Sequence, residues 1–235
     1  MKKIFTLIAA AFMAVGANAQ KYYFAESDIQ AKDEVNKPLN GKTYGDGFVT
    51  LIDEVGKMSI DANDAYFGDA TAQTKFTHRL KSGAKSQTGA GKHNQVNLTV
   101  STAGTLKVYV RTGSNDATDR NVVITQGSSE LFKGVVKESD AVMVAGLDES
   151  DPTKETKVYP IISVEVAVGA VEITYPVGSI NFYGFEVSST TGITDVKVVE
   201  PSTVKDDAIY NLSGQKVNKN YKGVVIKNGV KTIQK

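Results

Sequence analysis

The chain has 235 residues, with 27 Lys and Arg against 26 Asp and Glu, no Cys and no Trp. So even a balance, without a basic block, removes the electrostatic ground for a nucleic-acid or anionic-membrane partner. Without Cys there can be no disulfide, no lipid-bearing cysteine and no thiolate metal ligand, so stability has to come from burial.

The N-terminus reads as an export signal. Lys2 and Lys3 are followed by an apolar run from Ile4 to Val15, broken only by Thr6, and then by Ala17-Asn18-Ala19. This is the order of a basic start, an apolar stretch and a small-x-small cleavage site. The run falls short of the ~20 residues that span a bilayer as a helix, so the mature chain is expected to carry no membrane span. Cleavage after Ala19 leaves 25 basic against 26 acidic residues, a net charge of −1. The expected location is the cell surface or the medium.

Beyond Gln20 the pattern is one of short alternating runs. Phe76 to Leu80, Val96 to Val100, Leu106 to Arg111, Ile162 to Val168 and Val171 to Tyr175 each alternate apolar and polar residues. Period 2 with one apolar side marks a half-buried strand. Turn residues separate the runs at Thr102-Ala103-Gly104, Gly113 to Asp116 and Pro176 to Ser179. No stretch holds a helical period over three turns. Many short strands with frequent turns predict an all-β fold, a sandwich or a jelly roll.

Two stretches read as surface loops: Lys81 to Asn94, rich in Gly, Ser, Lys and Gln, and Asp148 to Thr156, charged and containing Pro152. Ser188 to Gly192 is polar and of linker character. After it, Ile209 to Leu212, Gly223 to Lys227 and Val230 to Gln234 read as strands, with Asn228-Gly229 as a hairpin turn. The expected organisation is a signal peptide at 1–19, a sandwich module at 20–188, a linker at 189–206 and a β-hairpin tail at 207–235.

Motifs that would carry chemistry fail on inspection. Ser86 to His93 imitates a phosphate loop but lacks its first Gly and its closing Ser or Thr. Asp61-Ala62-Asn63-Asp64 starts like a calcium loop, yet Tyr66 stands at the Gly position and Ala72 at the closing acidic one. His78 and His93 lack zinc spacing, and there is no Gly-x-Ser-x-Gly elbow. No catalytic residue, cofactor or metal ligand is therefore expected, and the chain reads as a non-enzyme.

Four blocks recur in order in one family: Phe76 to Gly83, Gly104 to Val110, Asp119 to Ile124 and Gly178 to Val187. With them the chain resembles the noncatalytic β-sandwich modules that accompany secreted pectate lyases and other polysaccharide-degrading proteins. The resemblance covers about residues 24–187 and implies a galactose-binding-like jelly roll that binds carbohydrate. The tail, Ile209 to Val217 with Lys222 to Gly229, resembles the end of type IX secretion C-terminal sorting domains, which implies the secretion machinery as a partner.

Strand parity supplies candidate ligand contacts. With Leu106, Val108 and Val110 facing the core, Tyr109 and Arg111 face outward; with Phe76 and Leu80 inward, so do Arg79 and Lys81. Arg79, Lys81, Tyr109 and Arg111 are thus the candidate glycan-binding residues, with Tyr109 as the aromatic platform where Trp is absent. The alternative is a structural or adhesive surface protein that uses the sandwich as a scaffold.

Overall fold

The computed structural model describes residues 19–30, 38–87, 91–148, 150–189, 209–211, 215–218, 220–227 and 230–234. The signal-like residues 1–18, residues 190–206 of the expected linker, Ser213-Gly214 and the Asn228-Gly229 turn lie outside the described residues. The chain divides into two compact units, Met1–Thr191 and Gly192–Lys235. Among the described residues, no helix is long and apolar enough to cross a membrane.

The first unit contains β1 (Gln20–Tyr23), β2 (Thr43–Tyr44), β3 (Val49–Asp53), β4 (Ser59–Gly68) and β5 (Gln73–Lys81). Then come β6 (Asn94–Val100), β7 (Gly104–Thr112), β8 (Arg120–Gln126), β9 (Ser129–Val136) and β10 (Val142–Ala145). The last are β11 (Glu155–Tyr159), β12 (Ile162–Val166), β13 (Gly169–Thr174) and β14 (Ile180–Ser188). They form two sheets. The larger, eight-stranded, runs β10-β11-β4-β5-β14-β7-β12, with β1 also paired to β14; the smaller, six-stranded, runs β2-β3-β6-β13-β8-β9. The protein is an all-β sandwich.

Alternation explains the core between the sheets. Val96, Leu98 and Val100 of β6 point inward, as do Val49 and Leu51 of β3, and they meet Leu106, Val108 and Val110 of β7. Burying each such side chain is worth about 1.5–3 kcal/mol. The central strand β14 breaks the simple pattern. Phe182 pairs with Val110 and Gly184 with Tyr109, so Tyr183 is an extra residue, a β-bulge. Ile180 and Phe182 before the bulge, and Phe185 and Val187 after it, all join the inter-sheet core, while Tyr183 packs on the opposite face.

A second irregularity lies in β4, where Ala62 pairs with His78 but Ala65 with Phe76. The Ile60–Leu80 pair on one side of it belongs to the inter-sheet core; Ala65 and Phe76 on the other belong to the outer cluster. Phe76 and Leu80 therefore do not share a core, contrary to the alternation expected from sequence.

The Lys81 to Asn94 stretch is also more than a surface loop. Ser82 is fully buried and Ser86 nearly so. Ser82 Oγ accepts from Ile180 N at 2.9 Å, and Ser86 Oγ accepts from Tyr175 N at 2.7 Å. These hydroxyls satisfy backbone donors where the chain enters β14, which a buried segment requires. Asp53 does the same nearby: its carboxylate accepts from the backbone N–H groups of Leu39, Lys57 and Met58 at 2.9, 3.0 and 3.3 Å.

The second unit is a four-stranded sheet in the order β16 (Lys216–Val217), β15 (Ile209–Asn211), β17 (Gly223–Lys227) and β18 (Val230–Gln234). The hairpin read from Asn228-Gly229 is its β17–β18 pair, and β15 with β16 extends it.

Strand β1 reaches β14 only because Gly184 leaves room. A Cβ there would stand 2.5 Å from Tyr23 Cδ1 and 2.8 Å from the Tyr22 carbonyl oxygen. The carbonyl is backbone in the β1 ladder and cannot yield without loosening it. Gly184→Ala is expected to cost on the order of 1–3 kcal/mol by overpacking. Thermal unfolding should show a lower Tm, and hydrogen exchange should show β1 losing protection first.

Candidate functional site

The outer face of the larger sheet carries a second apolar cluster of Ala65, Phe67, Phe76, Tyr109, Tyr159 and Tyr183, joined by Tyr23. Its rings cover one another: Phe76 lies 4.7 Å from Tyr109 and 4.9 Å from Tyr23, and Phe67 lies 5.1 Å from Tyr183, centroid to centroid. The hydroxyls turn to polar partners. Tyr23 and Tyr109 both donate to Glu186 Oε2, at 2.8 and 3.1 Å, and Tyr183 donates to Asn63 Oδ1 at 2.5 Å.

This corrects the reading of Tyr109. Parity does place it on the face away from Val108 and Val110, but that face is itself packed, and Tyr109 is only 3% exposed. It is a structural ring and offers no platform to a sugar. Burial, together with the neighbouring Tyr23 hydroxyl and the Glu186 carboxylate that accepts its hydrogen bond, pushes its hydroxyl pKa far above the ordinary tyrosine range.

The other candidates divide. Arg79 and Lys81 both turn to Asp61: Arg79 Nε lies 2.9 Å from Oδ1 and Lys81 Nζ 2.9 Å from Oδ2. Arg111 instead lines a cavity of about 610 Å³ on the outer face, which Arg79, Lys81 and Tyr109 do not line. Its wall is built by β4 and β11, by Arg111 of β7 and Lys75 of β5, and by Glu138 and the segment around Asp148 and Lys154.

The groups around Arg111 form a relay. Arg111 Nη1 donates to Tyr159 Oη at 2.7 Å, and the guanidinium sits 5.2 Å from the centre of that ring. Tyr159 Oη donates in turn to Glu138 Oε1 at 2.7 Å, and Lys157 Nζ donates to the same oxygen at 2.9 Å. Local structure sets each piece. Lys157 and Tyr159 are two apart on β11 and so share a face. Glu138 opens the 3₁₀ turn Glu138–Asp140, which is held by the Lys137 N–H donating to Asp140 Oδ2 at 3.1 Å. Burial raises the pKa of the Glu138 carboxyl, but the Tyr159 and Lys157 hydrogen bonds and the Arg111 charge outweigh it, so the group titrates below the ordinary range.

The relay is incomplete. Among the described residues, Arg111 Nε and Glu138 Oε2 are buried with no hydrogen-bond partner. Leaving such a group unsatisfied costs about 1–3 kcal/mol, more where it is charged. Sequence reasoning missed Glu138, Lys157 and Tyr159. The Lys157-Val158-Tyr159 alternation was available, though it follows a charged loop; Glu138 sits in a turn with no periodic signal.

No protein-family model matches the chain, and no curated protein matches it either. Solved structures do show similarity. A module from the Ruminococcus flavefaciens cellulosome, described in terms of glycan recognition, is 14% identical with a TM-score of 0.35, over 74% of this chain and 95% of that one. The K1 cleaved adhesin domain of Lys-gingipain from Porphyromonas gingivalis is 11% identical with a TM-score of 0.37, over 73% and 98%. The catalytic domain of an alpha-1,3-glucanase is 12% identical with a TM-score of 0.30, over 64% of this chain and 29% of that one.

Acid should weaken this face. The Glu138 and Asp61 carboxyls both titrate below their ordinary values of 4.5 and 3.8. A depressed folded-state value means stabilisation that is complete above the unfolded-state value and lost as pH falls through the folded one. The Tm is expected to stay level as pH falls from 7 to about 5 and to drop below about 4. In Glu138→Gln the drop should be shallower, and pH-dependent calorimetry measures both.

Proposed function

We propose that the protein is an exported, noncatalytic module that holds a glycan in the cavity on the outer face of its larger sheet. The observation that carries this reading is the cavity of about 610 Å³, whose wall includes four carboxylate and four cationic side chains. That volume lies within the range of ~300–1,000 Å³ common for small-ligand sites. Sugar hydroxyls both donate and accept, and such a wall answers both.

A binding role suits the electrostatics better than hydrolysis. Glycosidase chemistry needs one carboxyl kept protonated near neutral pH. Here Glu138 is held ionised by Tyr159 and Lys157. Asp148, whose carboxyl is held well below the ordinary range by hydrogen bonds from Lys154 and Ser150, cannot act as that acid either. In this reading Arg111 contacts the ligand directly, Tyr109 packs in the aromatic cluster of the same face, and Arg79 and Lys81, paired with Asp61, stand outside the cavity.

One observation favours the second reading, an adhesive scaffold. Strand β10 lies at the edge of the larger sheet, and Val142 and Met143 on it are 45% and 49% exposed. Uncharged, apolar edges of this kind invite pairing with another chain. The full-length protein should therefore be screened by calorimetry against plant, host and bacterial polysaccharides. The glycan reading expects at least one binder that Arg111→Ala weakens; the scaffold reading expects none, and attachment to cells that Met143→Lys abolishes.

Export and sorting complete the proposal. The Ala17-Asn18-Ala19 site directs the chain out of the cytoplasm, and residues 207–235 serve as a type IX-like sorting signal. In a bacterium with that machinery, the full chain should reach the surface or medium with Gln20 as its first residue, read by intact mass. Without residues 207–235 it should stay in the periplasm. Equal display of both forms would remove the sorting role.

A further inference from the structure

Resting on the glycan reading of the cavity, we propose that its ligand is an uncharged sugar unit, gripped through adjacent hydroxyls by Arg111 and Glu138. Three observations carry this. The first is charge: the wall holds as many carboxylates as cations, so it offers an acidic polymer no net attraction.

The second is that the lysines of the wall already have anions, which leaves Arg111 as the cation open to a ligand. Lys75 lies 3.4 Å from Asp64, Lys154 lies 2.6 Å from Asp148, Lys157 lies 2.9 Å from Glu138, and on the neighbouring surface Arg79 and Lys81 share Asp61. A uronate would have to compete with a carboxylate fixed in place at each of these points.

The third is what the relay lacks. Arg111 Nε needs an acceptor and Glu138 Oε2 needs a donor, and neither finds one among the described residues. A carboxylate ligand would serve Arg111 but repel Glu138, and an ammonium group would do the reverse. Two neighbouring hydroxyls serve both once the two side chains turn toward the cavity they line: one accepts from the guanidinium while the other donates to the carboxylate. Tyr159, hydrogen-bonded to both side chains, sets the distance between them, so donor and acceptor are presented as a pair.

The test uses the full chain and isothermal calorimetry. Neutral gluco-, galacto- and manno-oligosaccharides are compared with oligouronates, each in about 20 mM and about 0.5 M NaCl, a span across which screening tightens several-fold. The expected result is binding of a neutral oligosaccharide that changes less than about twofold with salt. Glu138→Gln, which cannot accept at the second oxygen, should weaken it at least about tenfold. Arg111→Lys, which keeps the charge but loses the planar fork, should do the same. Melting curves accompany both variants; if one does not fold, the other decides.

Preference for uronates with affinity falling in salt would overturn the proposal and leave the glycan reading standing. So would neutral-sugar binding that both variants retain, since the ligand would then sit elsewhere. No binding of any sugar would overturn the glycan reading itself, and this inference with it.

Discussion

Strand β14 is buried along both of its faces, and the bulge at Tyr183 is what makes that possible. A regular strand with this composition would send Ile180 and Phe182 to one side and Phe185 and Val187 to the other. The extra residue returns all four to the inter-sheet core and leaves Tyr183 alone for the outer cluster. The same slip brings Gly184 opposite Tyr23, where a bare Cα lets β1 close in. Both sides of the larger sheet thus depend on one residue of register, because a slip of one would move every side chain of half a strand to the wrong face.

That constraint explains why the outer face can carry a site. Phe67, Phe76, Tyr109 and Tyr183 form a rigid floor, and the hydroxyls of Tyr109 and Tyr183 are tied to Glu186 and Asn63. Tyr159 stands at the border of that floor: its ring packs with Phe67 and its hydroxyl joins Arg111 to Glu138. Positioning groups in this way, on strands and packed rings, holds them more closely than loops alone would.

Much of the fold was legible because alternation is a local property. The runs at 76–80, 96–100 and 106–111 appear as parts of β5, β6 and β7, and the hairpin of the second unit appears as β17–β18. The failures share a physical cause: each depends on what lies across the chain. Tyr109 was placed on the right face of β7, but nothing within Leu106 to Arg111 tells that this face is covered. Ser82 and Ser86 look like loop residues until Ile180 and Tyr175 present their N–H groups. Of the four candidate contacts only Arg111 lines the cavity, and its partner Glu138 comes from a turn with no pattern of its own.

The pairing of β1 with β14 has a consequence for how the first unit comes to exist. Gln20 meets Val187, so strands from the two ends of the unit are neighbours. Closing so long a loop is entropically slow, and contacts of high sequence separation delay folding. During synthesis, at roughly 5–20 residues per second, β1 emerges early and finds no partner until β14 has been made. Strands in between can pair with one another, as β4 does with β5 and β8 with β9, but the larger sheet lacks its centre until β14 arrives. The unit therefore cannot lock itself shut while it is being made, and it reaches its final form only after its last strand has been released.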